Sequence, residues 1–471
     1  MNVLEQLAGR QILFLNWRDL ANPAAGGAEA YCEQIARRLA SAGCRLTLFT
    51  SAYQDAPPYD WENGYLVVRK GSRFGVYLAA ARHIKRYGRR YDAIVDFQNG
   101  IPFFAPLWAP AGTAVTCVVH HVHQGQFGMY FPWPVSAVGR LLEGRASRRV
   151  YRDRSFIAVS PSTRTEMRRQ LRFRGPISIV PNGTDPLPPG RGHRSPVPLI
   201  AVVTRLVPHK QLHLLVEAVP ELLRRWPALQ VEIAGSGPAR ETLQRKAREL
   251  GVEGSVRLPG WVSERHKCDL LSQAWLTVAP SLAEGWGLTV LEANAMGTPA
   301  LAYDVPGLRD SVRDKLTGWL VPPGDALAAP LTSALEELTD PAQQDRMAEQ
   351  CQGWARGFSW DITTERLARV LVSDIMRTEQ GSPSRRQVTD LMTIASWRLD
   401  EVDEDMEQRL RKALRTTDVI TRGQHGLRVL LASCDEVGAA TALQRVPVPP
   451  ARLRLATTAD VLCGPDGDGL A

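Results

Sequence analysis

The chain has 471 residues, which is too long for one hydrophobic core and predicts two or three domains. Its hydrophobic fraction of 44% and charged fraction of 23% are typical of water-soluble globular proteins. Because no run of 18 apolar residues occurs, we expect no membrane-spanning helix. The 7 cysteines are scattered and form no Cys-x-x-Cys pair, so we expect neither a disulfide framework nor a zinc site, and a cytoplasmic location.

The positive charge is concentrated in the first part of the chain. Residues 1–182 hold 24 Lys and Arg against 12 Asp and Glu, whereas the remainder holds 33 against 37. The basic clusters are Arg82–Arg90, Arg145–Arg149 and Arg168–Arg174. A solvated face and a surface that contacts an anionic membrane both fit this pattern. Nucleic acid is not expected, because no nucleic-acid-binding motif accompanies the charge.

Residues 1–185 alternate short apolar runs with amphipathic segments. The N-terminal apolar run lacks a basic region and a cleavage site, so it predicts a first strand and not a signal peptide. Strands are predicted at Ile12–Leu15, Leu46–Thr50, Tyr65–Val68, Ala93–Phe97, Ala114–His120 and Phe156–Val159. Helices are predicted at Glu29–Ala42, Leu78–Tyr87, Val138–Tyr151 and Thr163–Leu171. This alternation predicts a mostly parallel sheet covered by helices on both faces.

A segment rich in proline and glycine, residues 182–198, predicts a domain boundary. The alternation then restarts and predicts a second α/β domain over 198–357. Its predicted strands are Leu199–Val203, Gln230–Ala234, Val256–Leu258, Leu276–Val278, Pro299–Ala302 and Trp319–Val321. Its predicted helices are Leu212–Arg225, Ala239–Leu250, Leu288–Met296 and Ala326–Leu338. Two such domains predict a ligand site in the cleft between them.

The remaining residues predict a helix and a small extra unit. Residues 358–378 predict a helix that closes the two-domain unit. Residues 385–446 predict a small α/β unit with a helix at Glu407–Leu414 and a strand at Leu427–Ala432. The last 25 residues, 447–471, are rich in proline and glycine and predict disorder.

The stretch from Ser281 to Pro299 carries the strongest functional signal. It follows a predicted strand, contains the glycine-rich loop Glu284-Gly-Trp-Gly287, and runs into a helix that begins near Gly287. A helix N-terminus after such a loop offers free backbone N–H groups and the positive end of the helix dipole, which bind phosphate. Glu284 and Glu292 then place one carboxylate on the loop and one on the helix, where they can hold different hydroxyl groups of one ligand.

This stretch resembles the E-x7-E motif of glycosyltransferase family 4, and the similarity extends from residue 10 to about 378. The resemblance implies the GT-B fold, with two Rossmann-like α/β/α domains that face each other across a cleft. It also implies that Glu292 holds the ribose hydroxyls of a nucleotide and that Glu284 contacts the donor sugar. The backbone amides that would face the sugar and the phosphates belong to Gly285, Trp286, Gly287, Leu288 and Thr289.

Two cations follow the first strand of the second domain. Arg205 and Lys210 lie in a stretch that resembles the family's G-R-L-x-x-x-K-G sequence. Two positive charges on a strand-to-helix loop can neutralise a pyrophosphate leaving group without a metal ion. Thr204 and Gln211 stand where glycine is usual, which restricts how closely the backbone can approach the phosphate.

Two further loops resemble the family's donor-binding loops. Gly26 and Gly27 follow the first strand and open the first helix, as in the family's GGAE loop. Gly235 begins a Gly-Ser-Gly-Pro sequence that fits the family's nucleotide-base loop. In both places the resemblance implies that the backbone approaches the donor.

Histidines cluster at the end of a predicted strand, in the sequence His120-His-Val-His123. Three histidines within four residues cannot easily aim at one metal ion, so we expect no metal site here. The resemblance implies that one of the adjacent pair binds the donor sugar. We favour His120, which directly ends the strand, over His121.

Together these residues predict a retaining hexosyltransferase that uses a nucleotide-sugar of the GDP-mannose or UDP-hexose type. The expected acceptor is a glycan, a lipid-linked sugar or a cell-envelope component, and peripheral contact with an anionic membrane is consistent with the charge. We expect no cofactor and no metal, since the nucleotide-sugar is a co-substrate. Arg205, Lys210, Glu284 and His120 are the predicted catalytic residues.

Other functions fit the sequence less well. A nicotinamide oxidoreductase is excluded because no Gly-x-Gly-x-x-Gly follows a strand. A phosphorylase needs a longer chain, and an epimerase lacks the Glu284–Glu292 loop. The main alternative is a GT-B scaffold with weak catalysis that binds a nucleotide-sugar or a partner. Residues 414–439 resemble part of a GGDEF domain without its signature, which predicts a non-catalytic appendage for docking or regulation.

Overall fold

The computed structural model describes residues 3–185 and 193–379 and parts of 391–457, namely 391–398, 402–414, 418–423, 426–432, 434, 439, 442–443, 450 and 452–457. It divides into two compact units. Unit 1 comprises Met1–Asn22, Ile35–Val180 and Thr364–Ala471, and unit 2 comprises Pro23–Gln34 and Pro181–Thr363. The structure thus groups the short segment 23–34 with the second half of the chain. Among the described helices, none combines the length and the apolar character that crossing a bilayer requires.

Unit 1 is built on an eight-stranded sheet. Its strands are β1 Gln11–Leu15, β2 Arg45–Thr50, β3 Tyr59–Glu62, β4 Tyr65–Arg69, β5 Ala93–Gln98, β6 Ala114–Val119, β7 Ser155–Ala158 and β8 Ile177–Ile179. The helices of this part of the chain are α1 Gly27–Ser41, α2 Val76–Tyr87, α3 Phe127–Tyr130, α4 Trp133–Leu141, α5 Ser147–Val150 and α6 Pro161–Arg169.

The strand order of this sheet is β3-β4-β2-β1-β5-β6-β7-β8. All neighbours are parallel except β3, which pairs antiparallel with β4 at one edge. Without β3, the order reverses direction between β1 and β5, as in doubly wound Rossmann-like sheets. Buried positions alternate little along β5 and β6 because both faces of these central strands are covered, as expected for a parallel sheet.

Within its described residues, unit 2 has six parallel strands, β9 Leu199–Val203, β10 Gln230–Ala234, β11 Val256–Gly260, β12 Thr277–Ala279, β13 Ala300–Tyr303 and β14 Gly318–Val321. They form two ladders, β11-β10-β9 and β12-β13-β14. A parallel bridge between Ile200 and Leu276 joins the ladders beside β9 and β12. The resulting order, β11-β10-β9-β12-β13-β14, is that of a Rossmann-like sheet whose direction reverses between β9 and β12.

The described part of unit 2 contains seven helices that cover its sheet, and the sequence did not predict three of them. The seven helices are α7 His213–Arg225, α8 Arg240–Glu249, α9 Glu264–Gln273, α10 Leu288–Ala295, α11 Leu308–Ser311, α12 Ala328–Glu337 and α13 Pro341–Ala355. Aliphatic side chains of α7, α10 and α12 pack with those of β9 to β14 into one buried core. The expected two-layer covering of a parallel sheet is therefore present.

Helix α14, Trp360–Glu379, begins in unit 2 and ends in unit 1. In its second half the buried carboxylate of Asp374 accepts hydrogen bonds from Thr116 Oγ1 at 2.6 Å and from Ser155 Oγ at 2.7 Å. Arg377 donates to the same carboxylate at 2.7 Å. Since Thr116 lies on β6 and Ser155 on β7, these bonds hold the end of the helix on the sheet of unit 1.

The C-terminal segment forms a four-stranded antiparallel sheet with the order β16-β17-β15-β18. Its elements are β15 Leu391–Trp397, α15 Glu404–Ala413, β16 Val419–Gly423, β17 Gly426–Ala432 and β18 Arg452–Thr457. The prediction that 447–471 lack structure is wrong for Arg452–Thr457, because this segment pairs with β15 and Leu453 packs on the core of the sheet. Residues 458–471, and the pair 424–425 of the GGDEF-like sequence, lie outside the described residues.

Candidate functional site

The predicted donor-site residues of unit 2 follow the two strands between which its sheet changes direction. Strands β9 and β12 are neighbours, and the backbone N–H of Ala201 donates to Leu276 O at 3.0 Å. The loop after β9 carries Arg205 and Lys210, and the loop after β12 carries Glu284. In sheets of this kind, the carboxyl ends of the two strands at the direction change are the usual position of a ligand.

Two glycines hold the loop after β9 in place. Gly235 has φ +134°, and a Cβ there would lie 1.8 Å from Thr204 O. A Cβ on Gly237 would lie 2.3 Å from Leu206 O, and the Leu206 N–H donates to Ser236 O at 2.8 Å. The loop that carries Arg205 therefore rests directly on the loop after β10. Gly235 stays a predicted donor-binding residue, and the structure gives it a positioning role as well.

Lys210 and Glu284 are in direct contact. Lys210 Nζ donates to Glu284 Oε1, and Ser281 Oγ donates to the same oxygen at 3.0 Å. The side chains are 14% and 18% exposed, so the pair is shielded from water and still reachable by a ligand. Burial raises the pKa of Glu284, but the charge and hydrogen bond of Lys210 outweigh burial and lower the pKa below its ordinary value. The carboxylate is therefore ionised near neutral pH.

Glu292 pairs with a lysine that the motif did not reveal. Lys267 Nζ donates to Glu292 Oε1 at 2.7 Å and contacts Glu264 Oε2 at 2.7 Å. Burial raises the pKa of Glu292, while the charge of Lys267 opposes this shift. Burial lowers the pKa of Lys267, but Glu292 and Glu264 outweigh burial and raise it. Lys267 was not predicted, because it lies on helix α9, which has no predicted counterpart in the sequence analysis.

The predicted helix start at Gly287 is confirmed. Gly287 has φ +82° and directly precedes α10, and a Cβ there would lie 2.8 Å from Ser311 Oγ. The first bond inside the helix runs from Val290 N–H to Gly287 O at 3.0 Å, so the amides of Leu288 and Thr289 come before the hydrogen-bonded turn. This is the arrangement of a helix N-terminus that can accept an anion.

Trp286 takes part in the loop through its backbone. Its side chain is 2% exposed and its ring packs against Phe358 with centroids 5.0 Å apart. The ring therefore anchors the loop against Phe358, and the side chain of Trp286 is not available to contact a ligand. Its predicted role as a backbone donor is compatible with this packing.

The Gly26–Gly27 loop contacts Arg205 within unit 2. A Cβ on Gly26 would lie 3.1 Å from Arg205 Nε, and Arg205 Nη1 is 3.5 Å from Ala24 O. Glu29 accepts a hydrogen bond from Gly26 N–H at 2.8 Å, which caps the start of α1. The absence of a side chain on Gly26 thus gives the guanidinium room to lie along the loop.

The histidine cluster lies in unit 1, after β6. His120 is 6% exposed, and burial lowers its pKa to about 3, so its ring is neutral. The rings of His121 and His123 lie 3.7 Å apart, and His121 Nε2 is 3.1 Å from Gln126 Oε1. The proposed choice of His120 over His121 as the sugar-binding residue stays a prediction.

A buried carboxylate supports this histidine loop. The predicted helix Val138–Tyr151 is interrupted by a π-helical turn, Leu142–Ala146, which directs Glu143 inward with 0% exposure. Glu143 Oε1 accepts from the His123 N–H at 2.7 Å and lies 3.3 Å from His123 Nδ1. Glu143 Oε2 accepts from Gln124 Nε2 at 2.7 Å. The sequence reasoning missed Glu143, although π-helical turns are frequent at functional sites.

Glu143→Gln is expected to remove a pH dependence of stability. Burial raises the pKa of Glu143 to about 7, so the fold favours the protonated form. Its contribution is complete below the unfolded pKa near 4.5 and is lost as the pH rises through about 7. Glutamine does not titrate, so the variant should gain on the order of 3 kcal/mol relative to the parent between pH 4.5 and 8. Denaturant unfolding of both proteins across this range measures the difference, and a constant difference would contradict the prediction.

Gln211→Gly is expected to stabilise the loop that carries Lys210. Gln211 has φ +49° and ψ +32°, a left-handed conformation that costs a residue with a Cβ about 1 kcal/mol or more. Glycine adopts it freely, although its greater entropy in the unfolded chain offsets part of the gain. We expect the free energy of unfolding to rise by up to about 1 kcal/mol. Gln211→Ala is the control, because it keeps the Cβ and should bring no gain.

Two family models match the chain in succession. The model described as "Glycosyltransferase Family 4" matches residues 25–186, and the model described as "Glycosyl transferases group 1" matches residues 186–354. The two matches follow the order of the two halves of the chain, and the second contains the loops after β9 and β12.

Several characterised proteins are similar to the chain. A GDP-mannose-dependent alpha-(1-6)-phosphatidylinositol monomannoside mannosyltransferase of Mycolicibacterium smegmatis is 29% identical over 376 residues, which cover 74% of this chain and 95% of that protein. A D-inositol 3-phosphate glycosyltransferase of Nocardia farcinica is 39% identical over 211 residues, which cover 41% of this chain and 46% of that protein.

Solved structures share the fold at low sequence identity. A sucrose-phosphate synthase from Thermosynechococcus elongatus superimposes with a TM-score of 0.65 at 20% identity, over 77% of this chain and 98% of that one. Anabaena HepE, solved in complex with UDP and glucose, superimposes with a TM-score of 0.60 at 18% identity, over 77% of this chain and 99% of that one. These likenesses establish two Rossmann-like domains of the GT-B type.

Proposed function

Because this chain is a glycosyltransferase with the GT-B fold, we propose that it transfers a hexosyl group, with retention, from a nucleotide-sugar to a glycan or lipid-linked acceptor. The observation that carries this proposal is the contact between Lys210 and Glu284 at the direction change of the unit 2 sheet, on a loop that also carries Arg205. Cations, a carboxylate and the N-terminus of α10 then act on one diphosphate and the sugar attached to it.

The two cations stabilise the leaving group. In the transfer step, the acceptor oxygen forms a bond to the anomeric carbon of the sugar, and the bond from that carbon to the phosphate oxygen breaks. The proton of the acceptor hydroxyl passes to the departing phosphate. Negative charge grows on the diphosphate, and Arg205 and Lys210 offset it in a site largely shielded from water. Lys210 exchanges its contact with Glu284 for the phosphate, which frees Glu284 to accept a hydroxyl of the donor sugar.

The nucleotide is bound by residues of helix α10, which follows the loop that carries Glu284. Glu292 accepts the ribose hydroxyls, and Lys267, whose Nζ lies 2.7 Å from Glu292 Oε1, partly offsets the burial of that carboxylate. The amides of Leu288 and Thr289 donate to the phosphates. No metal ion is required in this scheme, since the arginine, the lysine and the helix dipole supply the positive charge.

GDP-mannose and UDP-hexoses are the proposed donors. The mannosyltransferase similar to this chain is named for GDP-mannose, and HepE was solved with UDP and glucose. The proposed acceptor is a glycan or a lipid-linked sugar at the cell envelope. Support for a membrane-bound acceptor comes from the excess of 24 Lys and Arg over 12 Asp and Glu in residues 1–182.

A donor screen tests the proposal. The purified chain is mixed with GDP-mannose, UDP-glucose and other UDP-hexoses, and the shift in melting temperature identifies the donor. Slow hydrolysis of that donor is then measured with and without EDTA, and we expect the rate to be unaffected by the chelator. NADH is the negative control. Binding of a donor without hydrolysis or transfer would instead support the alternative, a scaffold with weak catalysis.

A further inference from the structure

Helix α4 of unit 1 buries its small residues and exposes its large apolar ones, which is the opposite of an ordinary amphipathic helix. Its buried residues are small, Ser136 and Gly139, and a Cβ on Gly139 would lie 2.7 Å from the ring of Phe127. Large apolar side chains face outward, with exposed fractions of 79% for Trp133 and 54% for Val138. Three more exposed apolar side chains lie in or beside the helix, Met129, Val135 and Leu141. A helix that packs by its small residues and exposes its large ones marks a binding surface.

Arginines continue this surface along the chain. After α4, the π-helical turn and α5 bury Glu143 and Ser147 and expose Arg145 and Arg149, while Arg148 is half-exposed. Among the described residues, none of these three guanidinium groups pairs with a carboxylate. The surface, which we call the α4 surface, therefore consists of an apolar part at residues 129–141 and a cationic part at residues 145–149.

We propose that the α4 surface docks on an anionic lipid bilayer. Tryptophan prefers the boundary between headgroups and acyl chains, and a short helix with an outward apolar face lies in that boundary. The adjoining arginines face the negative headgroups, whose attraction adds to the apolar burial. A protein partner would match the apolar part, but the uncompensated positive charge beside it favours a surface of uniform negative charge. This inference rests on the proposed membrane-bound acceptor, and it names the surface that brings the enzyme to it.

Flotation with vesicles tests this proposal on the full chain. Vesicles of phosphatidylcholine are compared with vesicles that contain phosphatidylglycerol as well. We expect binding to the anionic vesicles that falls roughly 10- to 100-fold in Trp133→Ser/Val138→Ser, since each side chain buries apolar surface in the bilayer. Arg145→Gln/Arg148→Gln/Arg149→Gln should lower binding by a similar factor and remove its dependence on lipid charge and salt.

Two matched controls distinguish docking through the α4 surface from nonspecific hydrophobic adsorption and from a general effect of positive charge. Trp61 is 70% exposed on the edge strand β3, so Trp61→Ser removes an equally accessible tryptophan elsewhere in unit 1. Arg82→Gln/Arg86→Gln/Arg89→Gln removes the same charge from exposed positions in or just after α2. Both controls should bind as the parent does. An equal loss of binding in the controls, or no binding of the parent to anionic vesicles, would overturn the proposal.

The outcome is independent of the transferase chemistry. Binding of GDP or UDP to unit 2, measured by calorimetry, should be unchanged in the Trp133 and Arg145 variants, because every substituted residue belongs to unit 1. If the parent binds vesicles but hydrolyses no nucleotide-sugar, the proposed function fails and the docking surface stands. If the parent remains unbound by vesicles and Trp133→Ser instead abolishes self-association, the surface is a protein interface and the membrane assignment is wrong.

Discussion

Lys210→Ala is expected to lower kcat about 100- to 1,000-fold with the best donor, which is the usual effect of removing one charge-stabilising group from a transition state. The KM for the donor should change much less, because the charge on the diphosphate grows as the bond to the sugar breaks. Initial rates of donor hydrolysis or transfer at saturating donor measure this effect. Lys246→Ala is the control, since Lys246 is a partly exposed lysine on α8 that pairs with Glu217.

The contact between Lys210 and Glu284 offers a second explanation for a loss of activity in Lys210→Ala, and a further variant is needed to distinguish the two. Removing the lysine leaves Glu284 shielded and without its cation, which raises the pKa of its carboxyl and disturbs sugar binding. Lys210→Met/Glu284→Gln relieves that imbalance. The reference for this double variant is Glu284→Gln alone, because Glu284 is itself a predicted sugar-binding residue. If the double variant is as active as Glu284→Gln alone, Lys210 serves only to balance Glu284. If it is about 100- to 1,000-fold less active than Glu284→Gln alone, the cation acts on the leaving group.

Arg205→Ala tests the same idea from the other cation. We expect a loss of the same size as for Lys210→Ala, since both charges act on one diphosphate. In the double variant Arg205→Ala/Lys210→Ala, the loss of transition-state stabilisation should be smaller than the sum of the two single losses, because the effects of residues that act as a unit are not additive. Unchanged turnover in both single variants would show that the phosphate assignment is wrong.

The regular elements of the fold followed from hydrophobic periodicity where apolar residues are dense. The strands β1, β2, β5 and β9 match their predicted ranges within one residue. The elements that were missed have weak apolar patterns. Strand β3 has the sequence Tyr-Asp-Trp-Glu and lies at a sheet edge. In helix α9, Leu270 and Leu271 are the only large apolar side chains that are buried. Such segments are held by tertiary pairing, which a single sequence does not show.

The candidate site was predictable where its residues lie in contiguous motifs. Arg205 and Lys210 share one loop, and Glu284 and Glu292 share one loop and helix. The residues that were missed lie on separate segments: Lys267 on α9, where it contacts Glu292 in unit 2, and Glu143 on a π-helical turn, where it contacts the histidine loop of unit 1. Neither has a neighbouring residue type that marks a function, because each acts through a contact made only in the folded chain. Motif reading identified the groups that would touch a ligand and missed those that hold them.

Arg69→Met is expected to have the largest effect on stability. Arg69 ends β4 with its side chain 1% exposed, and its Nε donates to Asp19, whose side chain is also 1% exposed. Arg69 also donates to Asp60 Oδ2 at 3.2 Å and Glu62 Oε1 at 2.7 Å. Burial lowers the pKa of Arg69, but the hydrogen bond and charge of Asp19 outweigh burial and raise it.

Methionine at position 69 would leave the Asp19 carboxylate buried without a cation, and such a loss costs about 3–5 kcal/mol. Hydrogen exchange of the β1, β2 and β4 amides reports the opening free energy of unit 1 without requiring the whole chain to unfold in one step. Lys70→Met is the matched control, since Lys70 is the next residue and its side chain is exposed. Asp19→Asn in the Arg69→Met background should restore part of the loss, because it removes the unpaired charge. If Arg69→Met exchanges like Lys70→Met, the network of carboxylates around Arg69 contributes nothing to the stability of unit 1.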